Sequence, residues 1–187
     1  MFSSGIATPR LRLVAITVEM IRADAAHSSR LSQLIDAQVP PSWPPEHWEP
    51  HVFDFMEKQY SQSPHTIGWN RYVVLRSERL LIGTLGAFPR GETEAEIGYS
   101  ILPPWQRMGL ATEGVLALLT WLFQNNSLQT VIAHTFPHLT PSLRVMEKCG
   151  FQPAGPGDEA GTVRYRLDRS THSQRAAPRV SKLDSLP

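Results

Sequence analysis

The order of segments between residues 96 and 151 constrains the fold more than any other feature. A strand-like run, Glu96-Ile97-Gly98-Tyr99-Ser100-Ile101-Leu102, leads through Pro103-Pro104-Trp105 into Gln106-Arg107-Met108-Gly109-Leu110-Ala111, which opens a long apolar helix. A second strand-like run, Gln129 to Thr135, is followed by a helix that starts at Thr140-Pro141 and closes on Cys149-Gly150-Phe151. A glycine loop between strand and helix offers free backbone N–H groups at the positive end of a helix dipole, a site for an anion such as a pyrophosphate. A phosphate-bearing cofactor is expected here. The alternative is a tight turn that needs Gly109 only for its positive φ.

Composition limits what that cofactor serves. A chain of 187 residues is one ordinary domain with room for a substantial core. A formal charge of +1 gives no polyanion-binding footprint, so no nucleic-acid partner is expected. The single cysteine, Cys149, excludes an internal disulfide framework and any multi-cysteine metal site. No apolar run approaches the ~20 residues of a membrane span, and the N-terminus lacks a signal-peptide pattern. A soluble cytoplasmic protein without a membrane partner is the expectation. There is no Gly-x-Gly-x-x-Gly and no Gly-Lys-Ser/Thr, so neither a dinucleotide fold nor a P-loop is supported.

Periodicity places the remaining elements. Arg10 to Ile16 alternates like a strand, and Thr17 is a plausible cap for a helix using Met20, Ala23 and Ala26 or His27 and continuing through Leu31, Leu34 and Ile35. Four prolines between Val39 and Pro45 forbid regular structure and mark a rigid loop or lid. A helix from about Glu46 to Tyr60 follows. Arg71–Arg76, Leu80–Phe88 and Glu94–Leu102 read as a β-meander. Beyond Gly109, the residues Ala111, Val115, Leu118, Leu119 and Leu122 keep the 3.6-residue period of a buried helix. Thr140 reads as the cap of the next helix, with Pro141 first and Gly150 just past its end. Phe151–Gly155 and Thr162–Leu167 are the last strands, and the polar residues 170–187 read as a tail.

Several side chains carry both a functional and a structural reading. Ser142, Val145, Met146 and Cys149 share one helix face, which turns the Ser142 hydroxyl inward; the alternative is a serine bonding its own first turn. Glu96 is either a functional carboxylate or one member of a solvent-facing acidic run with Glu92 and Glu94. Cys149 reads as core packing. His134, on a buried strand, is more readily a satisfied core histidine than a base. His47 and His51 have metal-ligand spacing but no His-Glu-x-x-His context, and no metal is expected. Trp43 and Trp48 pack around the proline loop or line a ligand cavity.

Taken in order, Glu96-Ile97-Gly98-Tyr99, Gln106 to Glu113, Ala133-His134-Thr135 with Pro137, and Ser142 to Phe151 resemble the GNAT N-acetyltransferase superfamily. The chain is most similar to its RimJ/RimL-type branch, which the opening Thr8-Pro9-Arg10-Leu11-Arg12-Leu13 also fits. The resemblance covers residues 8–168. It implies a mixed α+β, GNAT-like fold: a central, mostly antiparallel but mixed and splayed sheet of about six to seven strands, flanked by about four helices. It implies acetyl-CoA as co-substrate and an amine as acceptor, either a peptide N-terminus or a small molecule, in a monomer or homodimer. The loop Gln106, Arg107, Met108, Gly109, Leu110 and Ala111, with Thr112, would hold the pyrophosphate. The strand Tyr99, Ser100, Ile101 and Leu102 would pair with the pantetheine amides, and Ser142 would approach the thioester. Trp43 and His134 are the candidate acceptor-binding residues. Leu139 stands where these enzymes usually carry an asparagine. No tyrosine follows Ser142 on its helix, so the tyrosine acid of other members has no counterpart there.

Amine chemistry sets the remaining expectations. A thioester is already activated, so attack needs a neutral amine, orientation, oxyanion stabilisation and help for the departing thiolate. A lysine amine at ~10.4 is neutral in only about one molecule per thousand near pH 7.5, whereas an α-amine at ~8 is neutral in a tenth or more. A site with no dedicated base therefore leans to an α-amine or other low-pKa amine. Glu96, acting through a water, is the candidate base, and Ser142 the candidate partner of the leaving sulfur. A catalytically silent acyl-CoA-binding module is the alternative.

Overall fold

A computed structural model describes residues 5–45, 48 and 50–176. The described residues form eight strands, β1 (Ile6–Ala7), β2 (Leu11–Ala15), β3 (Arg71–Leu75), β4 (Leu80–Pro89), β5 (Glu94–Ile101), β6 (Thr130–Thr135), β7 (Gln152–Pro156) and β8 (Val163–Asp168). Six α-helices join them: α1 (Val18–Ala25), α2 (Arg30–Ile35), α3 (Pro50–Gln62), α4 (Leu110–Leu122), α5 (Thr140–Cys149) and α6 (Arg169–Ala176). All strands lie in one sheet of order β1-β2-β3-β4-β5-β6-β8-β7. Every pairing is antiparallel except β5 with β6. This is the mixed α+β fold expected, with two more helices and at least one more strand.

Alternation along the strands divides the interior into two cores. Val73 and Leu75 face a core completed by Leu110, Val115, Leu118 and Leu119 of α4 and by Met146 and Cys149 of α5. Tyr72 and Val74 face the opposite core, with Ile21 of α1, Leu31 of α2 and Met56 of α3. α4 sits close to the sheet because Gly114 has no side chain: a Cβ there would lie 2.7 Å from Leu85 Cδ2. One cation is trapped inside. Arg71 is 0% exposed, lies 4.4 Å over the Trp121 ring and leaves Nε and Nη2 without partners. Burial lowers its pKa to about 10, although Tyr60 opposes the shift.

Three local departures from the sequence reading have physical causes. The helix expected over residues 17–35 breaks into α1 and α2, with His27 at φ 48 and the amides of His27 and Ser28 closing back on Asp24 O and Ala23 O. Thr140 is the first residue of α5 rather than its cap; Leu139 holds the cap position without a side-chain hydrogen bond. The polar stretch read as a tail forms α6 through residue 176. Arg169 explains its order, donating to Leu128 O (Nε, 2.8 Å) and Phe123 O (Nη1, 2.6 Å) near the carbonyl end of α4. His172 then lies against Phe123, the two rings tilted with centroids 5.0 Å apart. Residues 177–187, like Glu46 and His47 of the expected α3 start and the histidine pair, lie outside the described residues. Among the described residues no helix is long and apolar enough to cross a membrane.

The proline loop is fastened by one buried carboxylate. Asp24, 3% exposed, accepts from Trp43 Nε1 (2.7 Å), Trp48 Nε1 (3.0 Å) and Tyr72 OH (2.7 Å). Burial, then the Asp24 charge, holds the Tyr72 phenol protonated well above its usual range. Removing the acceptor leaves three donors unsatisfied, at about 1–3 kcal/mol each before relaxation. Asp24→Ala is expected to lose about 2–4 kcal/mol in urea unfolding; a loss below about 0.5 kcal/mol would show that the loop is held by packing alone.

Candidate active site

β5 and β6 supply the frame. They pair only over Glu94↔Thr130, Ala95↔Val131 and Glu96↔Ile132, while β5 remains paired to β4 as far as Gly83↔Ile101 and β6 to β8 as far as Thr135↔Val163. Beyond Glu96 and Ile132 the two strands turn free backbone edges toward each other. Unpaired edge groups need partners, so this opening suits an extended ligand rich in amides. Tyr99, Ser100 and Ile101 lie along it, and Leu102 follows, its amide bonded to Ile82 O at 2.8 Å.

The glycine loop sits where β5 ends. Gln106 Nε2 ties it to Ile101 O at 2.7 Å. Arg107 (φ 63) and Gly109 (φ 77) are both left-handed, which turns the chain into α4 with Gly109 at the cap. Glu113 N–H closes onto Gly109 O at 3.0 Å, leaving the preceding amides of Leu110, Ala111 and Thr112 as the donors that a helix cannot satisfy itself. Met108 is exposed at the loop tip. A clamp from the turn between β1 and β2 fixes this loop. Arg10 donates from Nη1 to Met108 O (2.9 Å) and from Nε to Glu113 Oε2 (2.7 Å), while Thr8 Oγ1 and Arg10 N reach Glu113 Oε1 at 2.6 and 2.9 Å. Sequence reading missed this clamp because its partners lie about a hundred residues apart.

Ser142 faces inward, as its helix position predicts, but its hydroxyl does not bond its own turn. The Tyr99 hydroxyl donates to Ser142 O at 3.0 Å and lies 3.1 Å from Ser142 Oγ. Burial pushes the Tyr99 phenol up to about 12 against the lowering effect of the Ser142 bond, so it stays protonated at neutral pH. A tyrosine therefore stands beside Ser142 after all, delivered by β5 rather than by the helix. Cys149 is buried about two turns further on, with its thiol pushed up to about 12 by burial despite Arg175, and it behaves as packing.

On the opposite face of β5, Glu96 is not a solvent-facing carboxylate. Its side chain and that of His134 are each 12% exposed, and His134 Nδ1 lies 3.0 Å from Glu96 Oε1. Arg90, in the β4–β5 turn, donates from Nε to Glu96 Oε2 at 2.6 Å and approaches it with Nη2 as well. Asp158, in the β7–β8 loop, completes the group at 3.7 Å from His134 Nε2 and 3.5 Å from Arg90. Arg90 was detectable in principle, since a hairpin pairing Phe88 with Glu96 brings its turn residues back alongside. Asp158 left no sequence signal. The ligand atoms of Glu96, His134 and Asp158 lie within 4.8 Å of one another, but Arg90 already supplies a cation to both carboxylates. Trp43 packs against the α1–α3 core, with its indole N–H on Asp24 and an edge contact to Tyr72 at 5.8 Å.

Residues 10–152 match the profile of the acetyltransferase (GNAT) domain. The chain belongs to the GNAT acetyltransferase family. The uncharacterized N-acetyltransferase YnaD of Bacillus subtilis (strain 168) is 38% identical over 84 residues, 44% of this chain and 49% of that protein. The chain thus spans about half the length of this curated relative. The ribosomal-protein-S5-alanine acetyltransferase of Vibrio fischeri superposes with a TM-score of 0.64 at 17% identity, over 89% of this chain and 97% of that one. The spermidine N-acetyltransferase of Vibrio cholerae, in complex with CoA and spermine, gives 0.60 at 21% identity, over 89% and 99%. At such identities the likeness is one of fold.

The loop clamp of this GNAT domain carries a pH signature. Burial alone would raise the Glu113 carboxyl, but the bonds from Thr8 and Arg10 and the guanidinium charge outweigh it and lower its pKa. A depressed carboxyl stabilises the fold above the unfolded value, near ~4.3, and loses that contribution as pH falls through the folded value. Glu113→Gln is expected to cost about 1–3 kcal/mol at pH 7, with the gap to wild type closing below about pH 4. A gap that persists unchanged into acid would assign the loss to packing.

Proposed function

We propose that this GNAT chain transfers the acetyl group of acetyl-CoA to an amine by direct attack. The parting of β5 and β6 beside the N-termini of α4 and α5 carries the reading. Free strand edges suit the pantetheine amides, and the amides of the loop Gln106 to Thr112 suit the pyrophosphate. CoA in the fold neighbour from Vibrio cholerae supports the same donor.

The two faces of β5 support two proton roles. Glu96 with His134 offers an acceptor for the amine proton on one face. Tyr99 with Ser142 offers a hydrogen bond to the departing sulfur on the other, where a phenol raised by burial keeps its proton until negative charge develops. A protein N-terminal α-amine, in the manner of the RimJ/RimL-type branch, is the proposed acceptor class, because it demands least of the base. Trp43 stays a proposed acceptor contact through the proline loop, residues 8–168 the proposed functional domain, and the cytoplasm the proposed location.

Two outcomes are expected. CoA at a hundredfold excess over its Kd should raise stability by ~2.7 kcal/mol. Gly109→Val, strained by about 1–2 kcal/mol at φ 77 but meeting nothing nearer than Arg10 at 3.6 Å, should remain folded and lose that gain. Undiminished CoA stabilisation in the variant would remove the loop from the cofactor site. Ser142→Ala should lower acetyl transfer roughly tenfold to a hundredfold while CoA affinity holds, because charge on sulfur develops only during reaction. Unchanged turnover per folded molecule would leave Ser142 as a partner of Tyr99 only. The acceptor class is read from thiol release across peptides with varied N-termini, polyamines, aminoglycosides and amino acids.

A further inference from the structure

Glu96 is poorly placed to take a proton itself. Both of its oxygens are engaged, Oε2 by the Arg90 guanidinium and Oε1 by His134 Nδ1. A carboxylate facing a guanidinium accepts hydrogen bonds, so the proton of the Glu96–His134 contact belongs on Nδ1. That fixes the tautomer and leaves the lone pair on Nε2. Nε2 is a buried nitrogen with no hydrogen-bond partner, and a second carboxylate oxygen, Asp158 Oδ1, lies 3.7 Å from it. A lone pair with no donor on it is open to accept a proton, and the imidazolium that results lies between two carboxylates.

From this we infer that His134 Nε2, not Glu96, takes the proton from the attacking amine, with Glu96 as the positioning residue. The inference rests on the acetyl-transfer reading above. As the amine nitrogen bonds to the acetyl carbon, its proton passes to Nε2; the carbon–sulfur bond breaks, and the sulfur keeps the electron pair and gains a proton from the Tyr99–Ser142 pair. Solvent then returns one proton from His134 to the solution and another to that pair. Glu96 fixes the ring and stabilises its cation, and Arg90 holds Glu96 in place. The groups facing the ring are Glu96 from β5, Arg90 from the β4–β5 turn, Asp158 from the β7–β8 loop and, paired across the strands, Arg164 of β8, whose own charge is met by Glu94.

Access follows from the same residues. Gly157 lies against the ring, where a Cβ would come 3.1 Å from His134 Cδ2, and Asp158 is the exposed member at 54%. In the working complex the acceptor nitrogen occupies the position of Asp158 Oδ1, and the displaced carboxylate faces the cationic form of the incoming amine. Gly98, on the same β5 face as Glu96, leaves open space, with nothing within 4 Å of the Cβ it lacks.

Two readouts test this. In the full chain labelled with ¹⁵N-histidine, His134 should show the Nδ1–H tautomer in imidazole NMR and should revert to Nε2–H in Glu96→Leu. An Nε2–H tautomer in the wild type would overturn the inference without bearing on acetyl transfer. In turnover with acetyl-CoA and an amine accepted from the panel, His134→Gln and His134→Asn should each lose roughly 10²–10⁴-fold in kcat and the acidic limb of the pH profile. Glu96→Gln, whose amide oxygen still accepts from Nδ1–H, should lose only about tenfold and keep that limb. A larger loss in Glu96→Gln than in either His134 variant, or an acidic limb surviving in His134→Gln, would return the base to Glu96. CoA stabilisation measured on each variant separates these outcomes from misfolding, and its absence in the wild type would instead sink the acetyl-transfer reading.

Discussion

The separation of two parallel strands organises this protein. β5 and β6 are held together through Glu96 and Ile132 and no further, while each keeps its antiparallel neighbour on the other side. A sheet that opens in its middle exposes backbone groups that would otherwise be paired, and an unsatisfied buried amide or carbonyl costs more than a typical hydrogen bond returns. The opening persists because both strands are fixed from outside. β4 holds β5 along its length, β8 does the same for β6, and α4 and α5 are packed into the same core as Val131, Ala133 and Ile97. Each helix follows one of these strands, so the free amides of the two helix N-termini lie beside the two free strand edges.

The charged groups around this opening fall into two networks with different tasks. Thr8, Arg10 and Glu113 join the start of β2 to the first turn of α4 and fix the loop whose amides point outward. Arg90, Glu96, His134 and Asp158 draw together two hairpins and β6 at the point where the strands part. In the second network the cation and both carboxylates are satisfied and one imidazole nitrogen is not. Fully satisfied buried networks specify structure, whereas a single unsatisfied member points to chemistry.

Much of the frame was legible in the sequence for local reasons. The apolar period from Val115 to Leu122, Gly109 before it, Pro141 early in α5 and Gly150 after it all act over a few residues, and each element lies where those signals put it. What the sequence hid depends on contacts between distant segments. α6 looked like a tail because no apolar period marks Arg169 to Ala176; its order comes from Arg169 meeting carbonyls more than forty residues away. The break at His27 was masked by a continuous apolar spacing on either side. At the site, Glu96, Tyr99 and Ser142 stood out by position, but the partnership of Tyr99 with Ser142 spans 43 residues and reached the helix from a strand. Glu96 stayed open between a functional and a solvent-facing carboxylate because strand alternation cannot reveal a turn arginine and a neighbouring strand's histidine closing over it.

The most direct measurement of the central claim is amide hydrogen exchange of the whole chain with and without CoA. If the parted strands are the cofactor cleft, CoA should slow exchange at amides within Gly98–Ile101 and Arg107–Thr112 and leave α1, α2 and the β2–β3 pairing unchanged. Slowing confined to other elements, with the opening between β5 and β6 unaffected, would contradict the account.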